Sequence, residues 1–228
     1  MIGFITTAHQ SLQYRSKGAE YLEKYVTSIK KVQKTLEFSY KIFVMDNESE
    51  VPFVTSEDYE VTRFSNQKEG GLSRTWNRGC QLARNANCEL LIVSNDDIQF
   101  TESLSSLFNF YANNKDKENS FVGPISNGVS THHQKGDSPR DKVVEYTNSA
   151  WASRPGFPLN GFCQAFHSSF YDKFNVSGNL WNVDGTKPRW GGEENDLFDR
   201  CTPKGMRSYV CEGWYVHHDK VSGWRKLL

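Results

Sequence analysis

Apolar positions in this chain gather into short unbroken runs, and several of these are separated by segments in which apolar residues recur at helical spacing. That alternation predicts an α/β fold with a central, mostly parallel sheet flanked by helices. The densest run, Leu90, Leu91, Ile92 and Val93, suits a strand buried on both faces of such a sheet, and it drives straight into Asn95, Asp96 and Asp97. Shorter runs over residues 2–5, 40–45, 61–64, 121–125, 161–167 and 206–211 predict further strands. Between them, Leu22, Val26, Ile29, Val32 and Leu36 mark an amphipathic helix over about 16–36, and Leu72, Trp76, Cys80, Leu82 and Ala83 mark a second over 72–86. A third helix, capped by Thr101, carries Leu104, Leu107, Phe108 and Tyr111 and is stopped by the polar run 113–119. Residues 168–174 and the acidic stretch from Glu193 predict two more, the second with first-turn carboxylates that suit the helix dipole. Residues 126–141, rich in Ser, Gly, His and Asp without periodicity, predict a long loop.

Length and composition narrow this picture. With 228 residues the chain can bury one substantial core, and a single domain over 1–228 is expected. Lys plus Arg and Asp plus Glu are each 27, so no broad field attracts nucleic acid or an anionic membrane. Five scattered cysteines, odd in number and without a CxxC pair, argue for reduced, buried thiols rather than a disulfide framework or a cysteine zinc site. The opening MIGFITTAH has no basic, apolar leader pattern, and no run approaches the ~18 apolar residues of a membrane span, so a soluble, cytoplasmic protein without a transmembrane segment is expected.

Chemistry enters at the ends of the strands. In an open α/β sheet, ligands gather at the carboxyl ends. Two predicted strands end there in Asp46-Asn47-Glu48-Ser49 and Asn95-Asp96-Asp97, and Glu193-Glu194 opens a helix. Carboxylates so placed can hold a hard cation against a phosphate. Asx turns and a solvated, dipole-matched helix start account for the same residues without a ligand.

The ordered set of these pieces resembles the GT-A nucleotide-sugar glycosyltransferases, especially the family-2 type. The matching pieces are a first strand ending in Thr6, Thr7 and Ala8, then Asp46-Asn47-Glu48-Ser49, then Gly71 with Asn77-Arg78-Gly79, then Asn95-Asp96-Asp97, and finally Gly192-Glu193-Glu194-Asn195-Asp196-Leu197 ending at Arg200. Together they span about residues 2 to 219. The resemblance implies a GT-A domain with a nucleotide-sugar-binding half over about 1–100 and an acceptor-binding half over 101–228. It implies transfer of a monosaccharide from a nucleotide diphosphate sugar to a hydroxyl of a carbohydrate acceptor, with inversion and with Mn2+ or Mg2+. A sugar-phosphate nucleotidyltransferase shares a similar sheet, but residues 6–10 lack its Gly-rich basic loop. A non-catalytic carbohydrate-binding module would need only the aromatic residues. A zinc site at His132, His133, His217 and His218 has no ligand spacing in its favour.

By the same resemblance, Asp46 accepts a hydrogen bond from the nucleotide base, with Thr7, Ala8 and Asn47 lining that pocket. Arg74 and Asn77 face the same crevice, Arg74 toward a phosphate. The family's metal motif is Asp-x-Asp, and Asn95 stands at its first position. Asp97 is therefore the expected direct ligand, with Asn95 and Asp96 beside the donor. His217 is the expected second ligand and His218 its adjacent rival, and an imidazole favours manganese over magnesium. Glu194 aligns with the family's catalytic Asp and is the expected base, with Glu193 and Asp196 close by. Gly161, Phe162, Trp190 and Gly192 are expected at the acceptor. Trp151, Trp181 and Trp190 offer rings that stack on sugars or fill the core.

Overall fold

Half of the sheet is a parallel block in which β1 (Ile2–Ala8) lies between β2 (Tyr40–Asn47) and β4 (Leu90–Asn95), with β3 (Glu60–Phe64) on the far side of β2. The computed structural model describes residues 1–10, 15–64, 71–129, 132–145, 159–182 and 193–219, and of residues 15, 16, 132 and 193 it describes the backbone. Beyond β4, β8 (Cys163–His167) runs antiparallel to it, β6 (Ser120–Ser126) runs antiparallel to β8, and β9 (Arg207–His218) lies parallel to β6. Two short strands, β5 (Ile98–Phe100) and β7 (Val143–Glu145), pair antiparallel with β9. The strand order is β3-β2-β1-β4-β8-β6-β9-β5. Following the pairings, β1, β2, β3, β4, β6 and β9 point one way and β5, β7 and β8 the other, so the sheet is mostly parallel.

This topology makes one functional edge. The carboxyl ends of β1, β2, β4, β6 and β9 and the amino ends of β5 and β8 all emerge on the same side. Ala8, Asn47, Asn95, Asp97, Phe162 and His218 are thus gathered from distant parts of the chain.

The pleat sends alternate residues to two cores. On one face, α1 (Arg15–Leu36) packs Leu22, Tyr25, Val26 and Ile29 against Phe4, Val44 and Ile92, and α3 (Leu104–Asn113) extends that layer. On the other, α2 (Gly71–Asn85), α4 (Ser168–Phe174) and α5 (Glu193–Cys201) lay Trp76, Cys80, Phe170, Leu197 and Phe198 on Ile5, Phe43, Leu91, Val93 and Phe121. Gly79 brings α2 close to β1, since a Cβ there would collide with the Ile5 side chain.

Some expectations change. The last strand does not stop at residue 211 but runs to His218, because opposite Pro124/Ile125 the β9 partner jumps from Cys211 to Tyr215. Glu212 and Gly213 look like a strand end in sequence, and with Trp214 they form a three-residue bulge inside one. Thr101 does not cap α3. Its hydroxyl and that of Ser103 donate to the Tyr215 carbonyl at 2.9 and 3.0 Å, fastening the helix start to β9. β5 and β7 are too short for a periodic signal. All five cysteines are free and buried, and among the described residues no helix is long and apolar enough to cross a membrane.

Candidate functional site

The end of β4 turns back at once into β5, and β5 lies along the end of β9, so Asp97 faces a histidine. That histidine is His218. Its Nε2 donates to Asp97 Oδ2 at 3.1 Å, and both side chains are largely buried, at 14% and 15% exposure. His217, one residue earlier on a strand, projects to the opposite side, is 43% exposed and meets Asp219 Oδ1 at 3.1 Å. Asp219 also accepts from Gln99 and pairs with Lys24 of α1. His218 therefore replaces His217 as the partner of Asp97.

The imidazole of His218 is held from several directions. The Phe162 ring stacks on it at 5.7 Å between centroids and 14° between planes. Asn127 binds its backbone, and Gly128 passes close to its ring. Asp97 Oδ1 and His218 Nδ1 are buried without a hydrogen-bond partner. Asn95 anchors the turn through its backbone N–H, which donates to the Phe162 carbonyl at 2.9 Å. Asp96 keeps some exposed surface, yet desolvation of its carboxyl, helped by the neighbouring Asp97 charge, pushes its pKa up to about 8. Tyr21 of α1 feels the same charge, and burial first and Asp97 second raise its phenol.

Gly161 and Phe162 connect this pair to the base candidate. The Glu194 carboxylate lies directly against Gly161, in the place a Cβ would take, and a Cβ there would also come within 3.0 Å of the Trp76 ring. Glu194 sits in the first turn of α5, where the helix dipole favours an anion. Asp196 is instead buried and structural: Arg200 Nε donates to its Oδ2 at 2.9 Å, and Arg200 Nη2 donates to the Leu180 carbonyl at 2.5 Å. Glu193 opens α5, and its side chain lies outside the described residues, as do Trp190, Gly192 and Trp151.

On the nucleotide side, the structure gives Asp46 local work. Its two oxygens accept the backbone N–H groups of Ser49 at 3.0 Å and Phe53 at 3.3 Å, and the Arg63 guanidinium stands 3.6 Å away. The carboxylate thus ties down the backbone of its own turn, and it is fully buried. Thr7 is paired with Thr75, Oγ1 to Oγ1, at 2.8 Å, and Asn47 offers its carbonyl to His9 Nδ1 at 3.0 Å. Ala8 has no exposed surface and belongs to the core rather than to a pocket wall. Arg74 is half-buried near the start of α2.

Asn77 does not face the crevice. It is buried and clasps the 180–181 backbone: Oδ1 accepts the N–H of Leu180 at 2.8 Å and of Trp181 at 3.1 Å, while Nδ2 donates to the Trp181 carbonyl at 2.7 Å. Trp181 is fully buried against Trp76, with ring centroids 5.2 Å apart, so it is core and not a sugar platform. In sequence, both residues carried signals that packing and binding share.

Asn127 and Gly128 were missed because they fall in the aperiodic 126–141 segment. A signal existed, since they follow a strand as a polar turn just as Asn95-Asp96-Asp97 does.

No family model matches the chain, and no curated protein does. Among solved structures, the crystal structure of GalNAc-T7 with UDP, GalNAc and Mn2+ superposes with a TM-score of 0.66 at 14% identity over 98% of this chain. The fold is of the GT-A type. At that identity the likeness is one of fold. The chain spans less than half of that neighbour, which it covers to 45%.

The residues at the GT-A edge fit a divalent ion. A carboxylate oxygen and an imidazole nitrogen 3.1 Å apart match neighbouring ligands at about 2.1 Å from one centre, and the second carboxylate oxygen of Asp97 is buried without a partner. Among the described residues no group of three or more His, Cys, Asp or Glu side chains is arranged to hold an ion.

Proposed function

We propose that this chain is a divalent-metal-dependent glycosyltransferase, family-2-like in its motifs, that moves a monosaccharide from a nucleoside diphosphate sugar to a hydroxyl of a glycan or glycoconjugate with inversion. The observation that carries this reading is the placement of the Glu194 carboxylate and the Asp97–His218 pair on either side of Gly161-Phe162, at the ligand-binding edge of the sheet.

In this reading, Asp97 and His218 would hold Mn2+, or Mg2+, at the donor site. When bound, the ion neutralises charge on the departing nucleoside diphosphate. Glu194 accepts the proton of the acceptor hydroxyl, and the hydroxyl oxygen attacks the anomeric carbon as its bond to the diphosphate oxygen breaks. Gly161 leaves room for the carboxylate at the attack position. Arg74 faces a donor phosphate, and residues of the first half, Thr7 and the 46–49 turn among them, bound the nucleotide. Asp46 shapes that turn through Ser49 and Phe53. The acceptor binds on the side of Gly161, Phe162 and the segment bearing Trp190.

The test is donor hydrolysis and transfer across a panel of nucleoside diphosphate sugars, UDP-sugars first, with Mn2+ and with chelator. Metal-dependent turnover of one donor, lost in Glu194→Gln, and a product of opposite anomeric configuration are expected. Turnover indifferent to chelator would remove the metal from the reading, and a retained configuration would remove Glu194 as direct base.

A further inference from the structure

We propose that Asn127 and Gly128 are positioning residues that set the His218 imidazole against Asp97. β6 ends at Ser126, whose partner on β9 is Val216, so the ladder between these strands stops short of His218. The Asn127 side chain stands in for the missing strand residue. Its Oδ1 accepts the His218 N–H at 2.8 Å, and its Nδ2 donates to the His218 carbonyl at 3.3 Å. A carboxamide offers a donor and an acceptor on two separate atoms, as a peptide group does, whereas an ionised carboxylate only accepts, a hydroxyl has both on one atom and a methyl has neither. Gly128 then follows the ring itself: a Cβ there would meet His218 Cβ at 2.5 Å and Cγ and Nδ1 at 2.7 Å. With Phe162 stacked on the ring and Asp97 accepting from Nε2, the imidazole has one orientation.

The expected consequence is that loss of Asn127 releases the end of β9 and moves Nε2 from Asp97 before it unfolds anything. The proposal rests on the metal reading for one of its two readouts only. In metal-free, 15N-labelled protein, long-range proton–nitrogen spectra of His218, assigned with His218→Ala, should show one set of ring signals in the wild type, because Phe162, Gly128 and Asp97 hold the ring in one orientation. Asn127→Ala should shift these signals toward an averaged imidazole, and it should weaken Mn2+ binding followed by electron paramagnetic resonance about tenfold or more. Asn127→Asp, which keeps the acceptor for the N–H but sets a carboxylate oxygen against the carbonyl, should fall between. Gly128→Ala should displace the ring directly.

Unchanged His218 signals and Mn2+ affinity within about twofold of wild type in Asn127→Ala, with only Tm lowered, would overturn the proposal. Shifted His218 signals in a protein whose wild type binds no Mn2+ would support the positioning role and reject the metal reading alone.

Discussion

Glu194 rests its carboxylate where a side chain on Gly161 would begin. The two residues are far apart in sequence, one in the first turn of α5 and the other just before β8. Their contact brings the acidic helix to the sheet edge that bears Asp97 and His218. A glycine is required there by the carboxylate.

Gly161→Ala should therefore act on Glu194 more than on the fold. The added methyl takes the place of the carboxylate, which must move by about an ångström, and misplacement of that order lowers kcat about a hundredfold. Glu194→Gln removes the proton acceptor itself and should cost about 10²- to 10⁴-fold in kcat with donor KM little changed. Steady-state kinetics beside a thermal melt decide this. Wild-type kcat in folded Gly161→Ala would mean that the base sits elsewhere.

The adjacent histidines separate cleanly. His218→Ala should weaken Mn2+ binding by about tenfold or more and reduce transfer in parallel, whereas His217→Ala, which loses a half-exposed contact with Asp219, should leave both within about twofold. Calorimetric titration of both variants is the check, and the reverse order would restore His217 to the site.

The sequence carried the frame well and the site in part. Unbroken apolar runs located β1, β2, β4 and β6 because buried parallel strands leave little choice of residue. The acidic ends of β2 and β4 were equally visible, but what each carboxylate does depends on partners brought from elsewhere. Asp46 is consumed by its own turn, a local event that the Asn-Glu-Ser following it already suggested. Asp97 meets His218 through a three-residue strand and a bulged β9, neither of which has a periodic trace. Choosing between His217 and His218 requires the register of β9, and the three-residue bulge over Glu212, Gly213 and Trp214 inverts the alternation beyond it, out of reach of a sequence pattern.

Asn77 gives a test of packing against binding. Its carboxamide makes three hydrogen bonds to Leu180 and Trp181 in a buried setting, so Asn77→Ala strands backbone groups. A loss of about 3 kcal/mol in urea denaturation is expected, since each buried polar group left unpaired costs about 1–3 kcal/mol and neighbours relax. Donor KM measured on the folded protein should stay near that of wild type. A large rise in KM without loss of stability would put Asn77 back in the crevice.

His167 supplies a pH dependence away from the site. It caps α4: the Ser169 N–H donates to its Nδ1 at 3.2 Å, which requires that nitrogen to keep its lone pair. Burial first, and the positive charge of Lys117 second, lower its pKa below the ordinary 6.5. The unfolded chain therefore takes up the proton more readily than the folded one. Stability from this group is fully present above about pH 6.5 and is lost as pH falls from there through the lowered folded value. His167→Asn keeps a capping acceptor that does not titrate. Thermal melts of wild type and His167→Asn from about pH 7.5 down to 5, above the range in which most carboxylates protonate, should diverge as pH drops, the wild type losing Tm faster. Parallel curves would show that the cap survives protonation of the ring.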